Sequence, residues 1–149
     1  MINIELILSE LDTHLPNWRQ ESQISLQSTE NNIDSLEGTG AVRTLKCSEK
    51  FFKVPTFNNL TYTNSIIEKL NMHRTRIMIL KGRSCYTYHR DFSKRIHIPL
   101  ITNKDNFFVI EDQVSRYPAT GDFYIIDTTK KHTFVNSSLE DRVHIVGCI

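Results

Sequence analysis

The second half of the chain, from Arg76 onward, is a succession of short segments rich in Ile, Val, Phe and Tyr. Gly, Asn, Asp, Ser or Lys separates each segment from the next, which is typical of β-strands joined by turns. About eight such segments fill about 74 residues, so no room is left for the helices that parallel strands need as crossovers. The pattern predicts a mainly antiparallel sandwich or small barrel. The segments are 76–82, 84–91, 95–102, 106–112, 113–118, 122–128, 132–138 and 142–149.

The first half carries a different pattern, with two helical segments and a long polar stretch between them. Residues 2–12 and 64–72 place apolar side chains at helical spacing, and Asn64 or Ser65 is a suitable cap for the second helix. Residues 17–40 are rich in Ser, Asn, Gln, Glu and Gly. That composition predicts an irregular segment, long enough to close over the mouth of a barrel.

Length, charge and cysteine usage restrict the class of protein. A chain of 149 residues with 39% hydrophobic and 23% charged residues fits one globular domain. Its formal charge of +1 would not draw it to nucleic acid or to a membrane surface, so neither is an expected partner. Three widely spaced cysteines argue against a disulfide framework and favour a reducing compartment, hence the cytoplasm. The N-terminus lacks a basic region and a long apolar run, so we expect no signal peptide.

Four of the β-type segments carry ionisable or amide side chains at alternating positions. Because residues two apart on a strand share a face, these groups line one face of each segment. The face is either simply exposed to solvent or is the interior of a jelly roll that is open at one mouth. Exposed faces favour Lys, Glu, Thr and Ser, whereas these positions hold mostly His and Arg. The set consists of His89, Asp91, Arg95, His97, His132, Asn136, Arg142 and His144.

The tripeptide His89-Arg90-Asp91 suggests a metal site. Two side chains at positions i and i+2 of a strand project to the same side, so both can reach one ion. His132 is the candidate third ligand. Two imidazoles and one carboxylate leave coordination positions open, which suits non-haem Fe(II). The tripeptide alone is a weak signal, because the same three residues occur in many loops.

Arg142 strengthens the metal hypothesis. It follows His132 by ten residues across the short turn 137–141, which predicts an antiparallel hairpin with both side chains in one cavity. A guanidinium is the preferred group for a two-point grip on a carboxylate. A ligand histidine followed by such an arginine is the arrangement that binding of 2-oxoglutarate would need.

Taken in order, five motifs resemble those of the aspartyl/asparaginyl β-hydroxylase-like oxygenases, a group that also contains bacterial hydroxylases of free proline. The resemblance covers about residues 76–149, roughly half of the chain, and the ordered set is more specific than any one motif. The motifs are H-R-D (89–91), R-I-H-I-P-L (95–100), G-D-F-Y-I-I-D (121–127), H-x-x-x-N (132–136) and R-V-H (142–144).

The resemblance implies a mainly β protein, a double-stranded β-helix or cupin-type jelly roll with short N-terminal helices. We expect a single domain over residues 1–149, with a helical and irregular part over 1–75 and the jelly-roll core over 76–149. Members of the group bind Fe(II) through an H-x-D/E pair and a distal histidine. Some vertebrate members lack the acidic ligand, whereas this chain keeps it. The implied iron ligands are His89, Asp91 and His132.

The resemblance also implies the co-substrate contacts. Arg142 corresponds to the arginine that binds 2-oxoglutarate, while Arg95 and His97 correspond to a pair that helps to bind its metal-proximal carboxylate. Arg95 or His144 then remains for a carboxylate of the substrate. Asn136 is a candidate for steadying the metal-bound imidazole or the substrate.

The predicted function is therefore an Fe(II)- and 2-oxoglutarate-dependent dioxygenase. It would use dioxygen to hydroxylate an amino-acid-like substrate, either a free amino acid or a peptidyl side chain such as Asp, Asn or Pro, and release succinate and CO2. Two alternatives stay open. One is a metal-binding cupin of another class, such as a zinc hydrolase or a metal isomerase, in which Arg142 has no obvious task. The other is a non-catalytic binding module, against which the intact ligand set argues.

Overall fold

A computed structural model describes all residues from 1 to 149 and is dominated by short strands. The helices are α1 (Ile4–His14) and α2 (Thr61–Lys69). The strands are β1 (Gln23–Ser25), β2 (Gln27–Ser28), β3 (Val54–Pro55), β4 (His73–Leu80), β5 (Ser84–Cys85), β6 (Arg95–Ile101), β7 (Asn106–Ile110), β8 (Gln113–Ser115), β9 (Tyr124–Ile126), β10 (His132–Asn136) and β11 (Arg142–Cys148). Short 3₁₀ turns cover Trp18–Gln20, Val42–Thr44 and Glu49–Phe51. No helix is long and apolar enough to span a membrane.

Strands β4 to β11 form two facing antiparallel sheets. The larger sheet has the order β1-β4-β11-β6-β9, and the smaller has the order β5-β10-β7-β8. Along the chain from β4 to β11, successive strands alternate between the two sheets, except that β8 follows β7 in the same sheet. Eight strands wound in this way between two four-stranded layers form a jelly roll, to which β1 adds an edge. The predicted double-stranded β-helix is confirmed.

The predicted hairpin between His132 and Arg142 is wrong. Strand β10 pairs with β5 and β7, whereas β11 pairs with β4 and β6, so the two strands lie in opposite sheets. The turn 137–141 crosses between the sheets. In a jelly roll, neighbours in sequence face each other across the interior, so the two side chains can still reach one cavity without sharing a ladder.

The outer face of the larger sheet packs against the helices. Ile98 and Ile145 point to this face, and Ile7 and Leu11 of α1 and Ile67 of α2 cover it in one continuous core. The strong alternation of β6 and β11 in the sequence reflects this arrangement. Their opposite face is not solvent-exposed, since every residue of β11 and all but the last of β6 are buried. The polar groups on that face therefore point into the barrel.

Helix α2 begins earlier than predicted, at Thr61 rather than at residue 64. Its first turn is capped from α1, since the Glu10 carboxylate accepts hydrogen bonds from the backbone N–H groups of Tyr62 at 2.7 Å and Thr63 at 2.8 Å. The cap predicted at Asn64 or Ser65 is wrong, because the real capping group comes from a distant part of the chain.

The segment 17–40 is more ordered than its composition suggests. It contains β1 and β2, and Ile24 and Leu26 are buried in the core. Strand β1 pairs with β4, with Ile24 opposite Ile77. The prediction of an irregular segment is therefore wrong for these strands, because two apolar residues among polar ones are enough to anchor an edge strand.

Candidate metal centre

His89, Asp91 and His132 lie together at one end of the barrel interior. Their candidate ligand atoms are all within 4.8 Å of one another. Nε2 of His89 is 3.8 Å from Oδ1 of Asp91, and Nε2 of His132 is 3.8 Å from Oδ2 of the same carboxylate. The structure thus gathers the three residues named from the sequence into one cluster of two imidazoles and one carboxylate.

The backbone that holds this cluster is not the strand that the sequence predicts over residues 84–91. Strand β5 covers only Ser84–Cys85, and the chain then meets β10 through one isolated bridge between His89 and His132. The N–H of Asp91 donates to the carbonyl of Thr128 at 2.8 Å. Alternation along a strand is therefore the wrong reason for the proximity of His89 and Asp91, although the proximity itself is found.

Both histidines are held in the tautomer that a metal requires. Nδ1 of His89 lies 2.7 Å from the carbonyl oxygen of Thr87, and Nδ1 of His132 lies 2.9 Å from that of Lys130. Because a carbonyl only accepts, each Nδ1 carries the proton and each Nε2 keeps its lone pair. Nε2 of His132 is buried and has no hydrogen-bond partner. An unpaired, buried nitrogen beside a carboxylate fits a divalent metal ion.

Burial lowers the pKa of His132, although the Lys130 carbonyl and the Asp91 carboxylate oppose this shift. The lowered pKa favours the neutral imidazole near neutral pH, and neutral imidazole is the form that binds a metal.

Asp91 is oriented by a buried ionic network that the sequence did not reveal. Nε of Arg95 lies 3.4 Å from Oδ2 of Asp91, and Nη2 of Arg95 lies 2.9 Å from Oε2 of Glu49. The same Glu49 oxygen is 2.6 Å from Nη1 of Arg74. Burial opposes ionisation of Glu49, but the guanidinium groups of Arg95 and Arg74 hold its pKa below the usual value. Glu49 sits in a short 3₁₀ turn, where no periodic pattern marks it as buried.

Arg142 is buried and shares one cavity of about 570 Å³ with the three candidate ligands. Its Nε has no hydrogen-bond partner, and no carboxylate lies within ion-pair distance of its guanidinium. The guanidinium carbon lies 4.9 Å from the centre of the Phe134 ring. Burial lowers the pKa of Arg142 to about 10, so it remains a cation at neutral pH. A buried, unpaired cation of this kind is suited to bind an anion.

His97 lines the same cavity and contacts a second buried histidine. Its Nδ1 lies 3.3 Å from Nδ1 of His144, and the Nε2 atoms of both rings are buried without partners. Burial and the nearby charge of Arg142 hold the pKa values of both histidines well below the usual range, so both are neutral near pH 7. His144 is not among the residues that line the cavity, but it contacts His97, which does.

Asn136 is not brought to the site. Its Nδ2 donates to the carbonyls of Leu80 at 3.0 Å and Glu140 at 2.7 Å, and its Oδ1 accepts from Ser138. These bonds tie the crossing between β10 and β11 to the end of β4. The imidazole of His132 is instead steadied by the carbonyl of Lys130.

Tyr86 and Tyr88 both lie close to His89 in the sequence but differ in their environment. Tyr86 lines the cavity and meets the Phe134 ring edge-on at 5.7 Å, whereas Tyr88 is 50% exposed. Alternation along a strand would give the two side chains the same environment, but the segment after Cys85 is not a strand. Arg76 of β4 also lines the cavity. Its alternation with Met78 along β4 is the sequence signal that could have identified it.

Comparison with known proteins places the chain in a family. Residues 2–147 match the aspartyl/asparaginyl beta-hydroxylase family. The chain belongs to this family. The match confirms the resemblance drawn from the motifs in the second half and extends it over the first half. This protein is thus a jelly-roll member of a hydroxylase family with a candidate His-Asp-His metal site. A search of curated proteins found no match.

Several solved structures overlap part of the chain. A protein from Photorhabdus luminescens is 19% identical, with a TM-score of 0.43, over 49% of this chain and 58% of that chain. A predicted oxalate decarboxylase from Thermotoga maritima is 19% identical, with a TM-score of 0.44, over 56% of this chain and 72% of that chain. A Cupin 2 conserved barrel domain protein from Salinispora arenicola is 16% identical, with a TM-score of 0.41, over 50% of this chain and 61% of that chain. This chain spans less than two thirds of the first and third of these proteins.

Proposed function

We propose that this protein is an Fe(II)- and 2-oxoglutarate-dependent hydroxylase. His89, Asp91 and His132 bind the iron, and Arg142 binds the distal carboxylate of 2-oxoglutarate. The observation that carries the proposal is the presence of a three-ligand cluster and an unpaired buried guanidinium in the same cavity. Neither feature alone requires this co-substrate, but a metal-chelating dicarboxylate uses both.

The ligand set favours iron. Two imidazoles and one carboxylate leave positions open for a chelating co-substrate and for dioxygen. When bound, Fe(II) and 2-oxoglutarate allow one oxygen atom of O2 to enter a C–H bond of the substrate as C–OH, while the other enters succinate as CO2 leaves.

The side chains around the site have separate tasks in this proposal. The carbonyls of Thr87 and Lys130 fix the imidazole tautomers, and Arg95 orients Asp91. We assign His97, whose Nε2 is free, to the metal-proximal carboxylate of the co-substrate. Arg95 supports that carboxylate through its charge, although Glu49, Asp91 and Ser93 already contact its three guanidinium nitrogens.

The substrate we propose is amino-acid-like, either a free amino acid or a peptidyl side chain such as Asp, Asn or Pro. The cavity of about 570 Å³ is large enough for a small ligand beside the co-substrate. We also propose that residues 1–149 form one domain, because β1 extends the larger sheet and α1 packs on it. A cytoplasmic location remains our proposal from the cysteine pattern.

Anaerobic calorimetry tests the proposal. We expect one Fe(II) per chain, followed by tight binding of one 2-oxoglutarate that depends on the metal. Alanine at His89, Asp91 or His132 should each abolish iron binding with little effect on the fold, because the ligands do not belong to the main core. His14→Ala, at an exposed histidine, is the matched control. Wild-type iron affinity in any ligand variant would remove that residue from the ligand set.

A further inference from the structure

Besides Arg142, the cavity contains another buried arginine without a carboxylate partner, Arg76. The proposed chemistry does not use its charge. Arg76 lies in the middle of β4, is 5% exposed and lines the same cavity as the candidate metal ligands. On the inner face of the larger sheet, Val146 pairs with Arg76 on one side and with His97 on the other. Arg76 therefore stands across one strand from a residue that borders the site.

The guanidinium of Arg76 is nearly unpartnered. Its one hydrogen bond runs from Nη1 to Oε1 of Gln23, at 3.3 Å. Nε is buried with no partner, and Nη2 makes no hydrogen bond within the chain. Because Gln23 occupies Nη1, the edge formed by Nε and Nη2 stays free. That edge is a two-point fork of the kind that receives a carboxylate.

The carboxylates near Arg76 are already engaged. Glu49 lies within ion-pair distance of both Arg74 and Arg95, and Asp91 contacts Arg95 and the two candidate histidine ligands. Arg76 takes part in no salt bridge. Buried charges in proteins are normally paired, so an anion from outside the chain is the missing partner.

Two buried arginines in the cavity thus lack a counterion, Arg142 and Arg76. The proposed co-substrate has two carboxylates, of which Arg142 binds the distal one and the metal with His97 binds the other. A third carboxylate is needed to pair with Arg76, and the primary substrate is its remaining source.

We infer that the free Nε–Nη2 edge of Arg76 is a second carboxylate-binding site, which holds a carboxylate of the primary substrate while 2-oxoglutarate occupies Arg142. The inference rests on the proposed function and narrows the substrate to compounds with a free carboxylate. It replaces the expectation that Arg95 or His144 binds that group. Arg95 is already paired with Glu49 and Asp91, and His144 does not line the cavity.

Gln23 connects this site to residues 40–43, the mouth segment, which lines the same cavity. Its Oε1 accepts from Nη1 of Arg76 and also from the N–H of Gly40 at 3.1 Å. Gly40 has a φ of 80°, a conformation that favours glycine, and its carbonyl accepts from Nη2 of Arg74. The side chain that orients Arg76 is therefore itself held by the mouth segment.

Anaerobic calorimetry on the wild type and on Arg76→Met and Arg76→Lys tests this site. The probes are acetate, L-proline and L-aspartate, with acetamide and L-prolinamide as counterparts that lack the carboxylate, titrated into protein loaded with Fe(II) and 2-oxoglutarate. At least one acid should bind the wild type and weaken by about tenfold or more in both variants, since lysine keeps the charge but loses the fork. The 2-oxoglutarate affinity should stay within about threefold. Arg43→Met, which removes an exposed charge at the same mouth, should leave probe binding unchanged.

Three outcomes would overturn the inference. They are acid binding that is unchanged in both Arg76 variants, amides that bind as well as acids, and no binding of any acid to the loaded wild type. Repeating the titrations without metal and co-substrate separates this inference from the proposed function. If Fe(II) and 2-oxoglutarate fail to bind while Arg76-dependent acid binding persists, the proposed function fails and the carboxylate site stands. Arg76→Lys, which retains the buried charge, serves if Arg76→Met does not fold.

Discussion

At the scale of single residues, the candidate site is built from groups that are either fully engaged or left conspicuously free. Arg95 is paired with Glu49 and Asp91, and Arg74 is paired with Glu49, whereas Arg142 and Arg76 have no carboxylate partner. Both free guanidinium groups, of Arg142 and Arg76, line one cavity. Because an unpaired buried charge costs free energy in the unliganded protein, we propose that these two arginines bind ligands rather than stabilise the fold.

Arg142→Lys tests the residue that we assign to the co-substrate. Lysine retains the charge but cannot grip a carboxylate at two points, and a charge-assisted contact is worth about 1.5–3 kcal/mol. We expect the dissociation constant for 2-oxoglutarate, measured anaerobically with Fe(II) present, to rise by about tenfold or more. Arg83→Lys, at an exposed position, should leave it unchanged. An unchanged dissociation constant in Arg142→Lys would show that another residue binds the distal carboxylate.

At the scale of elements, the fold depends on contacts that join distant parts of the chain. The carboxylate of Glu10 in α1 contacts the first turn of α2. It accepts hydrogen bonds there from backbone N–H groups and from hydroxyl groups. Although burial opposes ionisation, these hydrogen bonds lower the pKa of Glu10. One acidic side chain therefore sets both the start of α2 and its position against α1.

Glu10→Gln should destabilise the protein by about 0.5–2 kcal/mol, since the amide loses the negative charge and one of the two acceptor oxygens. The measurement is the free energy of unfolding from urea titration at neutral pH. Glu68→Gln, the same change at an exposed position of α2, is the control and should have a much smaller effect. Equal losses in the two variants would show that Glu10 does not act as a cap.

Predictions from the sequence were correct for elements that are determined by local contacts and wrong for those determined by distant ones. Alternation in β6 and β11 predicted which side chains face the barrel, because both strands cover a helix-packed core on one side. The pairing of β10 and the start of α2 were mispredicted, since sheet switching and the Glu10 cap are set by residues far apart in sequence. His89, Asp91 and His132 were still predicted to lie together, and they do, because the chemistry of a metal site restricts residue types whichever backbone carries them.

At the scale of the whole molecule, the buried polar interior links stability to pH. His97 and His144 are buried beside Arg142, and their pKa values lie well below the ordinary 6.5. The unfolded chain therefore takes up protons at a higher pH than the folded chain. Stability must fall as pH drops below about 6.5, because protonation there favours the unfolded state.

His144→Gln should reduce this dependence. Each buried neutral histidine contributes a slope of up to about 1.4 kcal/mol per pH unit in the free energy of unfolding below pH 6.5. The variant should lose one such contribution between that pH and the onset of carboxylate protonation, whatever its stability at neutral pH. His14→Gln, at an exposed position, should keep the wild-type slope. Identical slopes in the wild type and His144→Gln would show that His144 does not titrate differently in the two states.

Oxygen transfer itself can be followed with isotopically labelled dioxygen. The protein, Fe(II), 2-oxoglutarate and a panel of free amino acids and Asp-, Asn- or Pro-containing peptides are incubated under the labelled gas, and succinate and product are analysed by mass spectrometry. We predict one labelled atom in succinate and one in a hydroxylated acid, both lost in His132→Ala. Succinate without label, or no succinate with any member of the panel, would contradict the assignment of this protein as a 2-oxoglutarate-dependent hydroxylase of amino-acid-like substrates.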